Sequence, residues 1–203
     1  LRRILLSSIE GAAVTSVKIS GAHHEFAALP GIVEDVSQIT INLKKLIVRS
    51  FSKEPKTVYL KVDKKGDITA ADIEAGEVIE IINPDHHIAT LSKGGKLEVE
   101  MMVENGKGYV PAESIELRKK AIGTMPIDAT FSPVVKVNHQ VESIRVGKLI
   151  DYDKLVLDVW TDGSMKPDEA VKQSSEILRK QLDMFLHPNQ KPVMLMAWAM
   201  ERA

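Results

Sequence analysis

In two stretches, 57–62 and 96–103, apolar side chains recur at every second position. Val58, Leu60 and Val62 alternate with Thr57, Tyr59 and Lys61. Leu97, Val99, Met101 and Val103 alternate with Lys96, Glu98 and Glu100. A period of two puts one class of side chain on each face of a strand. Glu77 to Ile82 reads as a further apolar-rich strand, and K-K-G-D, E-A-G-E and S-K-G-G read as short turns between the strands. The middle of the chain is therefore expected to be a strand-rich unit.

The flanks read differently. Leu1, Ile4, Leu5 and Ser8 in L-R-R-I-L-L-S-S fall at i, i+3, i+4 and i+7, one face of a helix. No Ser, Thr, Asp or Asn precedes them as a cap, so the sequence reads as beginning inside that helix. Ala13 to Ser20 reads as a half-buried strand, with Val17 and Ile19 on one face and Ser16, Lys18 and Ser20 on the other. Ile32, Val36, Ile39, Leu43 and Leu46 predict a helix with one apolar stripe, turning β-rich over 46–51. Val137 to Val146 and Lys154 to Trp160 read as two longer, partnered strands. Pro167 with Asp168 and Glu169 then opens a long helix, which His187-Pro188 ends. The class is α+β. The two ends share a style that the middle lacks, which predicts a domain split by an insert.

Charge and cysteine content narrow the function. Lys and Arg number 27 against 28 Asp and Glu, a formal net charge of −1. A protein whose main partner is nucleic acid needs a net basic face. There is no cysteine, so neither a disulfide framework nor a thiolate metal site is available, which fits a cytoplasmic protein. The most apolar run, 193–200, is far shorter than the roughly 20 residues of a membrane-spanning helix.

Several clusters look chemical and read more simply as structure. His23-His24-Glu25 and Asp85-His86-His87 pair adjacent histidines, which point to different faces and rarely close on one ion. His139 stands alone on a strand. Asp151-Tyr152-Asp153 could hold Mg²⁺ with a phosphate, but no third acid or Gly-rich loop accompanies it, and a turn is the simpler reading. Asn105 to Pro111, N-G-K-G-Y-V-P, lacks the pattern and following helix of a phosphate loop. It reads as a flexible loop between strands, and such a loop can be a protein contact. No nucleophile elbow is present. The residues alone indicate no catalytic site, no metal and no cofactor.

The last helix carries more apolar surface than a small sheet hides. Ile177, Leu178, Leu182, Phe185 and Leu186 cover more than a narrow stripe. Each such side chain is worth about 1.5–3 kcal/mol when fully buried. A partner subunit on a two-fold axis is the simplest cover.

An ordered set of motifs resembles a known family. It comprises L-R-R-I-L-L-S-S, G-A-H-H-E-F, G-I-V-E-D-V-S-Q-I-T-I-N-L-K at 31–44, G-K-G-Y-V-P-A at 106–112, D-A-T-F-S-P-V at 128–134, D-Y-D-K-L-V-L-D-V-W-T-D-G at 151–163 and P-D-E-A at 167–170. Together, over Leu1 to about Leu186, they look like the N-terminal domain of the bacterial RNA polymerase alpha subunit.

The resemblance implies a dimerisation subdomain of antiparallel strands and two helices, 1–10 with 134–186, split by a β-rich insert at 11–133. Leu1, Ile4, Leu5, Ile177, Leu178, Leu182 and Phe185 are implied to form the dimer contact. Arg3 and Leu6, with Asn42, Leu43 and Lys44 and with Gly106, Lys107, Gly108 and Tyr109, are implied to face the large beta and beta-prime subunits. A planar guanidinium suits such a contact, since it satisfies several acceptors at once.

The implied role is that of a non-catalytic subunit of a DNA-directed RNA polymerase, a nucleotidyltransferase. It homodimerises and serves as the platform on which beta and beta-prime assemble, with omega and sigma in the holoenzyme. The implied location is the cytoplasm, associated with the nucleoid through the polymerase. In the family the first helix follows a strand and an H-T-L-G-N-A-like stretch, neither present here. Lys166 stands where an acidic or small cap is usual. The Met- and Trp-rich 187–203 tail does not resemble the family's linker to a DNA-binding domain, so contact with promoter DNA by this chain is not carried over. Two other readings stay open: a homodimeric scaffold without polymerase binding, and a phosphate enzyme using Asp151 and Asp153.

Overall fold

The computed structural model describes residues 1–22, 24–116, 123–146 and 149–186. The chain starts with helix α1 (Arg2–Ser7), strand β1 (Glu10–Ile19), helix α2 (Val36–Lys44) and strands β2 (Val48–Ser50), β3 (Lys56–Val62) and β4 (Gly66–Thr69). A short 3-10 turn, Ala70–Asp72, leads to β5 (Ile73–Glu74), β6 (Ile79–Ile81), β7 (His87–Leu91), β8 (Leu97–Lys107) and β9 (Tyr109–Val110). Helix α3 (Ala112–Glu116), strands β10 (Met125–Pro126), β11 (Ala129–Thr130), β12 (Val134–Val146) and β13 (Leu149–Thr161), and helix α4 (Pro167–Leu186) complete it. The class is α+β, as expected, with antiparallel pairing throughout the described strands.

The largest sheet runs β5-β3-β8-β1-β2-β6, with β10 also on β1. Its centre is the pair β1–β8, and this explains a departure from simple alternation. Ser16 is buried rather than outward, as are Ala13 to Val17 throughout. A bulge between Val14 and Ser16 shifts the register against β8. One extra residue changes which face follows, so Val14, Val17 and Ile19 all reach the core despite their uneven spacing. Ser16 pairs with Pro126 of β10.

Helix α2 lies on this sheet through Val36, Ile39 and Leu43. It starts later than the apolar stripe suggested. Asp35 is the N-cap, its carboxylate accepting from the Gln38 amide at 2.7 Å. Ile32 lies outside the helix, bridged to Leu91. Gly31, at φ +78°, passes so close to Gly95 that an added Cβ would lie 2.5 Å from its Cα. Strands β4 and β7 form a separate pair that the sequence reading did not separate out; K-K-G-D ends inside β4 rather than forming a turn only.

The hairpin β12–β13 stands apart from the large sheet and has its own core. Leu5, Ile9, Val134, Val137 and Ala170 are buried together, flanked by Leu1, Leu6, Leu157, Val159, Met165 and Val171. Thus α1 and the first half of α4 pack on one face of the hairpin. Asp151-Tyr152-Asp153 lies within β13 and is not a turn leading into it. The register explains why: Tyr152 pairs with Ile144 and Asp153 with Ser143. The 187–203 segment lies outside the described residues.

Candidate interaction surfaces

Asn105 to Lys107 are not a loop. They are the last residues of β8, held straight because β1 extends beside them: Gly11 pairs with Gly106 and Glu10 with Lys107. The Lys107 ammonium sits 3.1 Å from the Glu10 carboxylate. Gly106 rests on the Phe131 ring, so that an added Cβ would come within 2.8 Å of ring carbons. Gly108, at φ +63°, breaks the strand, and β9 continues by pairing Tyr109 with Thr130 and Val110 with Ala129. The Gly108 carbonyl accepts from the Phe131 amide at 2.8 Å. A Cβ on Gly108 would lie 3.5 Å from the Ser7 carbonyl oxygen, so this strand break abuts the end of α1.

Asp128 ties this region to α2. Its Oδ2 accepts from Lys44 Nζ at 2.8 Å, and its Oδ1 accepts from the Ala112 amide at 2.9 Å. The Lys44 hydrogen bond foremost, then the Ala112 amide, holds the Asp128 carboxyl below the usual carboxylate range; the Tyr109 hydroxyl adds to this. Lys44 and Tyr109 therefore share one polar patch around Asp128, and the strand break beside Tyr109 abuts the end of α1. Tyr109 and Lys107 are exposed there. Arg3 is exposed on α1 with no side-chain hydrogen bond or ion pair among the described residues, whereas Arg2 donates to the Val137 carbonyl at 3.1 Å. Sequence reasoning passed over Asp128. Its place in D-A-T-F-S-P-V was visible, but its link to Lys44 needs the fold.

Other residues of the expected contact set are used internally. Leu43 is fully buried in the large core and Leu5 in the hairpin core, so both hold their helices and lend no outward surface. Leu6 is half-buried beside Leu5. Asn42 donates through its side-chain amide to the Ile88 carbonyl, and its own backbone carbonyl meets the His86 ring, both at 2.9 Å.

A second surface is apolar. Val137 faces Val159 across the hairpin and is buried. Four residues further along on the same face, Val141 pairs with Leu155, and these are 61% and 53% exposed. Helix α4 shows the same change. Ala170 and Ser174 are buried, Ile177 and Leu178 are half-buried, and Leu182 and Phe185 reach 53% and 76% exposure. The core of this unit continues past the side chains that cover it. Leu1 and Ile4 are half-buried at its other end.

The adjacent His86 and His87 turn to different partners, the Asn42 carbonyl and Glu34. His87 and Thr90 both bond to the Glu34 carboxylate, at 3.1 Å from the ring nitrogen and 2.6 Å from the Thr90 amide. His139 is exposed on β12. His23 lies outside the described residues, as does the side chain of Asp151. No group of three or more His, Asp or Glu gathers among the described residues. No described helix is long and apolar enough to cross a membrane.

Comparison with known families adds what this geometry cannot. Residues 17–132 match the RNA polymerase Rpb3/RpoA insert domain. The chain belongs to the RNA polymerase alpha-subunit family. The matched segment runs from near the end of β1 past β11, stopping short of the hairpin. Among curated relatives, the DNA-directed RNA polymerase subunit alpha of Symbiobacterium thermophilum is 52% identical over 92% of this chain and 59% of the relative. That of Moorella thermoacetica is 51% identical over the same shares, and that of Carboxydothermus hydrogenoformans 50% identical over 94% of this chain and 61% of the relative. The chain thus spans about three-fifths of the length of these alpha subunits.

Proposed function

We propose that this chain is an assembly subunit of a DNA-directed RNA polymerase. Two copies pair through the hairpin unit, and the pair carries the beta and beta-prime subunits, which perform nucleotidyl transfer. The observation that carries the reading is the unfinished core: Val141, Leu155, Leu182 and Phe185 continue a buried apolar face into solvent. A second copy covers such a face symmetrically, which satisfies both protomers with one contact.

In this reading 1–10 with 134–186 form the dimerising unit, and 11–133 form the insert. The separate cores and the family match to 17–132 support that division. The polar patch is the large-subunit surface: Arg3 at its α1 end, then Gly108, Lys107 and Tyr109, then Lys44. Arg3, unpaired among the described residues, can engage a partner carboxylate or carbonyl with its planar donors. In this reading the chain acts by positioning the large subunits rather than by chemistry of its own. Its place is the cytoplasm, on the nucleoid with the polymerase.

Co-expression with beta and beta-prime tests this, with the affinity tag on this chain. Recovery of both large subunits with two copies of the chain supports the reading. An intact homodimer that recovers neither would replace it with a scaffold for other partners.

A further inference from the structure

The large sheet and the hairpin share no strand pairing among the described residues. The chain passes between them twice, at Gly11 in β1 and at Phe131 to Pro133 ahead of β12. These two crossovers lie against each other: a Cβ on Gly11 would overlap the Phe131 carbonyl oxygen and lie 3.4 Å from Pro133 Cδ. Two adjacent crossings define an axis. They do not by themselves fix the angle about it.

A connection away from that axis does. Arg49 on β2 donates from Nε to the Ser164 carbonyl at 2.6 Å, and its Nη2 donates to the same oxygen. Its Nη1 lies 3.2 Å from Glu80, the cross-strand neighbour of Arg49 on β6. The acceptor belongs to the turn between β13 and α4. Asp162 holds that turn, its Oδ1 accepting from the Ser164 amide at 2.9 Å and the Ser164 hydroxyl at 2.6 Å. Gly163 meets β6's end, where a Cβ would lie 3.2 Å from Ile82 Cγ2. Strand β6 is two strands from β1, on the order of 10 Å from the crossovers.

Between the crossovers and this turn lies an open cleft of about 500 Å³. Ser50, Phe51 and Asn105 line it from the sheet side, and Met165, Lys166 and Glu169 from the other. Open space, rather than a continuous packed core, separates the two sides there.

We propose that the Asp162–Ser164 turn is a latch and Arg49 its catch. Closed, the bond holds the hairpin and α4 at one angle to the large sheet. Open, they swing about the Gly11–Pro133 crossovers and the cleft widens. The chemistry suits a reversible catch. Two donors converging on one oxygen set a direction, yet the acceptor is a neutral carbonyl, which holds less strongly than a carboxylate. Glu80 keeps the guanidinium in place when the bond opens. Hinge closure about a few backbone positions is a common form of such motion. The angle between the apolar face and the polar patch is then set by Arg49, whatever the two surfaces bind.

The chain has no cysteine, so Glu77→Cys with Lys172→Cys takes spin labels at two exposed positions only, one on each side of the latch. Pulsed electron–electron double resonance on the full chain, diluted with unlabelled copies, reads the distance. One narrow distribution is expected with Arg49 intact. R49A should at least double its width or add a second, longer distance, and R49K should lie between. G163A, which pushes the turn off Ile82, should move the distribution in the same direction. Distributions unchanged in folded R49A and G163A would overturn the proposal. Should R49A fail to fold, R49K and G163A decide it on the same readout.

Discussion

Lys44 Nζ lies 2.8 Å from Asp128 Oδ2, joining residues 84 positions apart. The pair fastens the end of α2 to the loop between β10 and β11. Through the Ala112 amide on Asp128's other oxygen it also fastens α3. Three stretches that sequence motifs presented separately become one surface because a carboxylate in the third accepts from the other two.

The two bonds of Asp128 are separable by substitution. Asp128→Ala removes the ion pair and the acceptor for the Ala112 amide, with an expected cost of about 1–2 kcal/mol. Asp128→Asn keeps an acceptor oxygen and loses only a half-exposed ion pair, with an expected cost below about 1 kcal/mol. Urea denaturation of both variants reads the difference. Equal losses would mean that the Ala112 amide does not need the carboxylate.

Acid should weaken the fold through two carboxyls. Asp128 is held low by Lys44 and the Ala112 amide. Glu34 is pushed up by burial, but the Thr90 amide, His87, its own backbone and the Thr90 hydroxyl together outweigh that and leave it lowered. A carboxyl whose folded pKa lies below its unfolded value stabilises fully above the unfolded value, near 4, and stops doing so as pH falls through the folded one. The melting temperature should therefore drop from about pH 5 downward. The drop should be shallower in Glu34→Gln and in Asp128→Asn. Parallel curves for all three proteins would remove these groups as the cause.

Gly106→Ala should destabilise by about 1–3 kcal/mol, because its Cβ enters the space of the buried Phe131 ring. Chemical denaturation gives the value. A neutral result would mean that the ring shifts freely, contrary to its burial.

Phe185→Asp should shift the protein from the proposed dimer to monomer, since it places a charge on the apolar face through which the two copies are proposed to pair. Light scattering should then read a mass near 22.4 kDa, that of one chain. A mass unchanged at twice that value would move the interface away from α4.

Elements with strong periodicity were legible in the sequence. Alternation located β3 and β8, and the 167–186 stripe located α4, because each pairs or packs along its length in one register. What failed to show depends on neighbours. Ser16 reads as outward until the bulge at β1 changes the phase. Asn105 to Lys107 read as a loop because two glycines signal one, yet β1 supplies a partner that makes them strand. Leu5 and Leu43 lie on the apolar faces that periodicity marks, yet only the fold shows that each is fully buried within its own chain's cores. Arg49 and Asp128 gain their roles from partners 115 and 84 positions away, which no local pattern encodes.

The most direct measurement is binding of this chain to purified beta subunit, by size-exclusion chromatography with light scattering, beside its Arg3→Ala variant. The account predicts a complex of two copies with one beta, weakened at least tenfold by the substitution while the dimer itself persists. A stable dimer that forms no complex with beta, or a complex indifferent to Arg3, would contradict it.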